Sequence, residues 1–157
     1  MDIENAQYDT SFAAEIEGTA GLFRGERTYC RLGQSVVVGR SRACDLSVAR
    51  SDACLQLGRE ALDQHPSYRK ISRRHIRITL LDADHLEVED LSTNGTAVDG
   101  YRVDKRVLSD FRSRREGLRI EFGEGEILIV KPARGVPGPA DELAANASGS
   151  HAGGLLD

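Results

Sequence analysis

Residues 71–95 read ISRRHIRITLLDADHLEVEDLSTNG, and their pattern decides the fold. Ile76, Ile78 and Leu80 alternate with Arg77 and Thr79; after an Asp82-Ala83-Asp84 turn, Leu86 and Val88 alternate with Glu87 and Glu89. Period-two alternation marks strands with one face buried and the other wet. The stretch is therefore a β-hairpin. Two polar clusters bracket it, Ser72-Arg73-Arg74-His75 before and Ser92-Thr93-Asn94-Gly95 after. Polar groups at strand ends are where a rigid sheet presents a binding site on its loops.

The same pattern extends outward in both directions. Residues 11–17 and 26–32 form a candidate hairpin across the Gly-rich connection 18–25, and Val36-Val37-Val38 is a short β-branched run followed by a further strand candidate at 44–48. Beyond the central hairpin, residues 96–98 and Val103 flank an Asp99-Gly100 turn of the kind that closes hairpins. Residues 118–122 and 127–130 meet at Gly123-Glu124-Gly125. Many short strands separated by turn residues imply an all-β sandwich.

One segment departs from this. In residues 49–70, Ser51-Asp52 suits a helix cap, Cys54, Leu55, Ala61 and Leu62 fall on one helical face, and Pro66 limits how far a helix runs. The reading is a short helix over 53–64 in a surface insertion. The alternation stops at Pro132. The domain organisation is then a polar, flexible segment at 1–10, a sandwich domain at 11–131, and a flexible tail at 132–157 that buries little.

Composition excludes several classes. The 157 residues suit one domain, and the formal charge of -4 argues against a general nucleic-acid binder, which is usually basic. Cys30, Cys44 and Cys54 are odd in number and lack CxxC spacing, so reduced thiols are expected rather than a disulfide framework or a zinc site. His65, His85 and His151 have no metal-ligand spacing either. There is no run apolar and long enough to cross a bilayer, and no basic-then-apolar leader at the start. A cytoplasmic protein with no cofactor, no membrane and no nucleic-acid partner is expected.

Arg40, Ser72, Arg73, Thr93 and Asn94 are the candidate site. Loops at one end of a sandwich converge, so residues distant in sequence meet in space. A guanidinium presents a planar fork of donors that matches phosphate oxygens, and the hydroxyls of Ser72 and Thr93 add short donors. Gly95 lets the backbone N–H groups of its turn approach a ligand. The set lacks the Gly-rich loop and Lys of a nucleotide cradle. Ser72, His75 and Asp90 suggest a hydrolase triad only superficially: no nucleophile elbow is present, and flanking Arg residues do not activate a serine. The expectation is a protein that is not an enzyme. Arg69, Lys70, Arg73 and Arg74 make the mouth of the site basic, whereas Arg112, Arg114 and Arg115 read as a solvated face. Thr10 and Thr19, placed in a mobile N-terminal part, read as ordinary unmodified polar residues.

Three motifs in order, Val38-Gly39-Arg40-Ser41, Ser72-Arg73-Arg74-His75 and Asp90-Leu91-Ser92-Thr93-Asn94-Gly95-Thr96 with Gly100 beyond, resemble the forkhead-associated (FHA) family of phosphothreonine-recognition domains. The resemblance covers 11–131 and implies an eleven-stranded β-sandwich with a partly helical insertion at 49–70, the peptide lying on the apical loops. It implies direct phosphate contacts from Arg40 and Ser72, further contacts from Arg73 and Thr93, and a hold on the peptide backbone by Asn94. Gly39, His75 and Gly95 would support the site. The implied function is non-catalytic phosphothreonine-peptide recognition in Ser/Thr kinase signalling, with a phosphorylated kinase substrate as partner. The alternative is a phosphate-independent interaction scaffold using the insertion. The insertion itself departs from the family, whose Gly-Arg and Ser-x-x-His motifs are usually much closer together.

Overall fold

The computed structural model describes residues 11–136. The expectations for residues 1–10, for the tail beyond 136, and for Thr10 and His151 lie outside the described residues.

Among the described residues, eleven strands form two sheets. The first has six, in the order β2 (Arg27–Arg31), β1 (Ala13–Ala20), β11 (Glu126–Ala133), β10 (Leu118–Phe122), β7 (Thr96–Val98) and β8 (Tyr101–Arg102). The second has five: β4 (Leu46–Ser47), β3 (Ser35–Gly39), β5 (Ile76–Leu80), β6 (Leu86–Asp90) and β9 (Lys105–Leu108). The central hairpin is β5–β6, antiparallel, with Ile78 opposite Val88 and Leu80 opposite Leu86. Its alternating apolar residues, Ile76, Ile78, Leu80, Leu86 and Val88, are fully buried, and they meet Leu118, Ile120, Leu128 and Val130 from the other sheet. Burying side chains of this size stabilises by roughly 1.5–3 kcal/mol each. This is the sandwich that the alternation requires.

Three elements differ from expectation. β9 pairs with β6 at the sheet edge, yet its sequence Lys-Arg-Val-Leu buries only Leu108, so it lacks an alternating signature. Charged residues are common on edge strands, where they discourage pairing with other chains. β11 continues through Pro132 and Ala133, because Ala13 and Ala14 of β1 supply its partners and a proline at a strand end removes little. Thr19 lies within β1 and its hydroxyl reaches the Ile127 carbonyl at 3.5 Å, so it is part of the sheet rather than of a loose leader.

The insertion is docked onto the sandwich. It contains α1 (Asp52–Asp63), capped by the Ser51 side chain, which accepts from the Cys54 N–H. A second helix, α2 (Pro66–Lys70), follows; Pro66 begins this helix rather than merely ending the first, which suits a residue with no N–H to offer. The single apolar face expected over Cys54, Leu55, Ala61 and Leu62 does not form. Gly58 (φ 82°, ψ 167°) breaks the helical path and resets its phase, so Leu62 is buried at 3% while Leu55 is 76% exposed and Ala61 also faces solvent. Leu62 and Ile71 join the main core, and the Asp52 N–H donates to Glu26 of the sandwich at 3.0 Å.

Candidate functional site

The insertion leaves the sandwich and returns through a closed neck. The Arg40 N–H donates to the Ser72 carbonyl at 3.0 Å and the Ser41 N–H to the Arg73 carbonyl at 3.1 Å. Only glycine fits at position 39, since a Cβ there would overlap the Arg73 carbonyl oxygen. This close approach brings Arg40 beside Ser72 whatever the length of chain between them. The loop after β6 completes the cluster: the Ser72 Oγ accepts from the Thr93 N–H at 3.1 Å, and the Asn94 Nδ2 donates to the Lys70 carbonyl at 3.1 Å. Arg40, Ser72, Arg73, Thr93 and Asn94 therefore meet at one end of the sandwich. Arg73, Thr93 and Asn94 are exposed, and Arg40 and Ser72 are half-buried. The Ser72 hydroxyl accepts here and retains its own proton to donate.

His75 lies beneath, fully buried, with both ring nitrogens engaged. Its Nδ1 accepts from the Ser72 N–H at 3.0 Å, which leaves the proton on Nε2 to donate to the Gly95 carbonyl at 3.0 Å. The ring thus joins the two loops that carry the site, and it packs 4.9 Å from Phe122, which packs in turn on Phe23. The Asp90 carboxylate accepts from the Ser92 N–H and hydroxyl and from the Thr96 hydroxyl, while the Ser92 Oγ also accepts from the Gly95 N–H. Burial works to raise the Asp90 pKa, but these hydrogen bonds and the nearby His75 hold it below the usual carboxylate value. Asp90 is thus committed to its own loop, and His75 to the Ser72 main chain, so the two do not align a base on the Ser72 hydroxyl. Gly95 sits at φ 102°, and a side chain there would collide with the guanidinium of Arg102.

Burial lowers the His75 pKa, partly offset by the Gly95 carbonyl and by Asp90. The neutral ring consequently stabilises the fold fully above the ordinary histidine value of about 6.5. Below it the unfolded chain takes the proton first, and stability drains until the buried ring protonates and its Nδ1 can no longer accept from Ser72. The urea midpoint should fall between about pH 7.5 and about pH 5. His75→Asn should be less stable but flatter over that window, since His65 and His85 are present in both proteins. Equal slopes in the two proteins would remove His75 as the cause.

Arg40 is the unusual member. Its Nε is buried without a hydrogen-bond partner, and its guanidinium lies 5.3 Å from the centre of the Tyr68 ring. Buried donors are nearly always paired, so this orphan marks Arg40 as a side chain whose hydrogen-bonding capacity the fold does not spend. Sequence reasoning did not single out Tyr68. It lies on α2, whose placement over the site depends on the path of the whole insertion, and no local periodicity reveals that. Arg102 was also missed; the nearest signal is its place after the Asp99-Gly100 turn, which returns the chain over Gly95. Beside Asn94 and Gly95 opens a groove of about 420 Å³ lined in part by Arg102, Arg119, Phe122 and Gly123.

A model of the FHA domain matches residues 36–123, more than half of the chain and all three motifs. The chain belongs to the FHA domain family. Its fold is shared with solved FHA structures. One, from a structural and functional analysis of phosphothreonine-dependent FHA domain interactions, is 26% identical, with a TM-score of 0.51 over 76% of this chain and 95% of that one. The FHA domain of the CT664 protein from Chlamydia trachomatis is 18% identical (TM-score 0.55, covering 76% and 96%). That of an Arabidopsis thaliana hypothetical protein is 21% identical (TM-score 0.55, covering 83% and 92%). No curated protein matches the chain. Within the described residues of this FHA domain there is no group of three or more metal-ligating side chains, and no helix is long and apolar enough to cross a membrane. Burial raises the Cys30 thiol to about 11 and raises that of Cys44 as well, which keeps both protonated at neutral pH.

Proposed function

We propose that this FHA domain is a non-catalytic module that binds phosphothreonine peptides and couples the output of a Ser/Thr kinase to protein assembly. In this reading Arg40 and Ser72 grip the phosphate, Arg73 and Thr93 add contacts, and Asn94 holds the peptide backbone. Gly39, His75 and Gly95 fix the loops. The observation that carries it is the neck that brings Arg40 beside Ser72, the first with an unpaired Nε and the second with a hydroxyl proton free to donate. A phosphate group can accept from a guanidinium and a hydroxyl together, and such charge-assisted bonds are the strong ones. Exposed Arg69, Arg73 and Arg74 surround the site and favour a ligand of about -1.5 to -2 charge. Phosphothreonine-dependent interactions of the 26% identical relative point the same way.

Titration of one peptide in phosphothreonine and unphosphorylated forms tests the reading. Only the phosphorylated form should bind, and Ser72→Ala should weaken it by at least about 1.5 kcal/mol, roughly tenfold. A phosphate-independent scaffold is the second reading, favoured by Leu55 and Leu57, 76% and 42% exposed on the insertion. It predicts equal binding of the two forms, insensitive to Ser72→Ala.

A further inference from the structure

The insertion is tied to the candidate site at two points and to the sandwich at several others. On the sandwich side, the fully buried Ser67 donates its hydroxyl proton to Glu126 at 2.7 Å and its Oγ accepts from the Glu124 N–H at 3.2 Å. Lys70 forms an ion pair with Glu124 at 2.7 Å, and Ile71 closes the segment as a buried core residue. On the site side, Tyr68 offers its ring to the Arg40 guanidinium, and the Lys70 carbonyl accepts from the Asn94 amide. α2 is thus a short strut, fixed at its base to β11 and the turn before it, with its free groups aimed at two of the residues assigned to ligand binding.

We propose that α2 is a positioning element of the phosphopeptide site, and that Tyr68 is the residue that holds the Arg40 side chain ready for phosphate; this rests on the reading given under Proposed function. Arginine is a long side chain with much rotamer freedom, and freezing it at the moment of binding costs affinity. A ring face against the guanidinium removes part of that freedom beforehand while leaving the edge donors unspent, because an aromatic face attracts the cation without accepting its N–H groups one by one. That is the state of Arg40 here: held over a ring, with Nε still unpaired. The Asn94 arrangement has the same logic. Its amide nitrogen carries two protons and its carbonyl accepts, so one proton given to Lys70 fixes the plane and leaves the second proton and the oxygen for a peptide. The insertion that separates the two motifs in sequence thereby supplies the support that orders them in space.

The test is phosphothreonine-peptide affinity, measured on the full chain by calorimetry, for wild type, Tyr68→Phe and Tyr68→Leu. Phenylalanine keeps the ring and should bind within about twofold of wild type; leucine keeps bulk without the ring face and should lose about five- to tenfold. A merely structural role would not move a second readout, the NMR resonance of the Arg40 Nε–H in the free protein. Ring proximity should shift it in wild type and Tyr68→Phe, and in Tyr68→Leu the shift and the restricted motion should both disappear. Tyr68→Met serves for the same comparisons if leucine disturbs the fold. Wild-type affinity in Tyr68→Leu, or a loss in Tyr68→Phe as large as that in Tyr68→Leu, overturns the role of the ring. A wild-type chain that binds phosphorylated and unphosphorylated peptide alike overturns the phosphopeptide reading itself, and the two failures are told apart by that control.

Discussion

Arg40→Met should weaken phosphothreonine-peptide binding by about 10- to 100-fold, because hydrogen bonds to charged groups contribute roughly 1.5–3 kcal/mol. It should do so without lowering the melting temperature. The second expectation separates a ligand-binding arginine from a structural one. In the free protein the guanidinium gains a face contact with Tyr68, of the order of 1 kcal/mol. Against that stands a buried Nε with no partner, a desolvation cost of about 1–3 kcal/mol. Methionine fills similar space without the orphaned donor, so the balance is neutral or favourable to the variant. Binding sites commonly carry groups that only their ligand satisfies, at some expense in stability. Calorimetry with the phosphopeptide and a thermal melt of the free protein measure the two sides. A melting temperature several degrees below wild type would instead make Arg40 a structural residue, and unchanged affinity would remove it from the site.

The hairpin β5–β6 was legible because each strand has one buried and one wet face, so the physics of burial is written directly as alternation from Ile76 to Leu80 and from Leu86 to Val88. β9 was not, because an edge strand that buries one residue of four leaves no such record. The convergence of Arg40, Ser72, Arg73, Thr93 and Asn94 was legible for a different reason: their motifs sit at strand ends, and a sandwich gathers its loops. What joins them, the neck from Arg40 and Ser41 to Ser72 and Arg73, is main-chain pairing that the side-chain sequence does not encode. α1 shows the converse error. Its apolar positions fit one helical face only if the helix is continuous, and Gly58 makes it discontinuous. Glu126 had a signal that went unread. The alternation that buries Leu128 and Val130 places residue 126 on the same inward face, where a carboxylate is costly unless several donors meet it.

Those donors make Glu126→Ala the most destabilising single change we expect outside the apolar core. The carboxylate is fully buried and accepts from the Leu22 N–H at 2.8 Å, the Phe23 N–H at 3.1 Å and the Ser67 hydroxyl at 2.7 Å. The first two belong to a one-turn 3-10 helix between β1 and β2, whose leading N–H groups have no partner within the turn. Alanine would leave all three donors buried and unpaired, at about 1–3 kcal/mol each, for a total of about 3 kcal/mol or more. An apolar residue of similar size would not rescue the fold, as it can for some buried ion pairs, because two of the stranded donors are main-chain and cannot be replaced along with it. Glutamine should cost less than alanine: its carbonyl oxygen, standing where Oε2 does, still accepts from the Leu22 N–H and the Ser67 hydroxyl, and only the Phe23 N–H is left facing the amide. Urea unfolding of Glu126→Ala and Glu126→Gln against wild type measures the difference. An alanine variant within about 1 kcal/mol of wild type would mean that water satisfies these donors. Because Ser67 is the base of α2, the alanine variant should also loosen Tyr68 and Asn94, so that phosphopeptide affinity falls along with stability. A change of side chain on the inner face of β11 would then be felt at the apical loops, through the insertion.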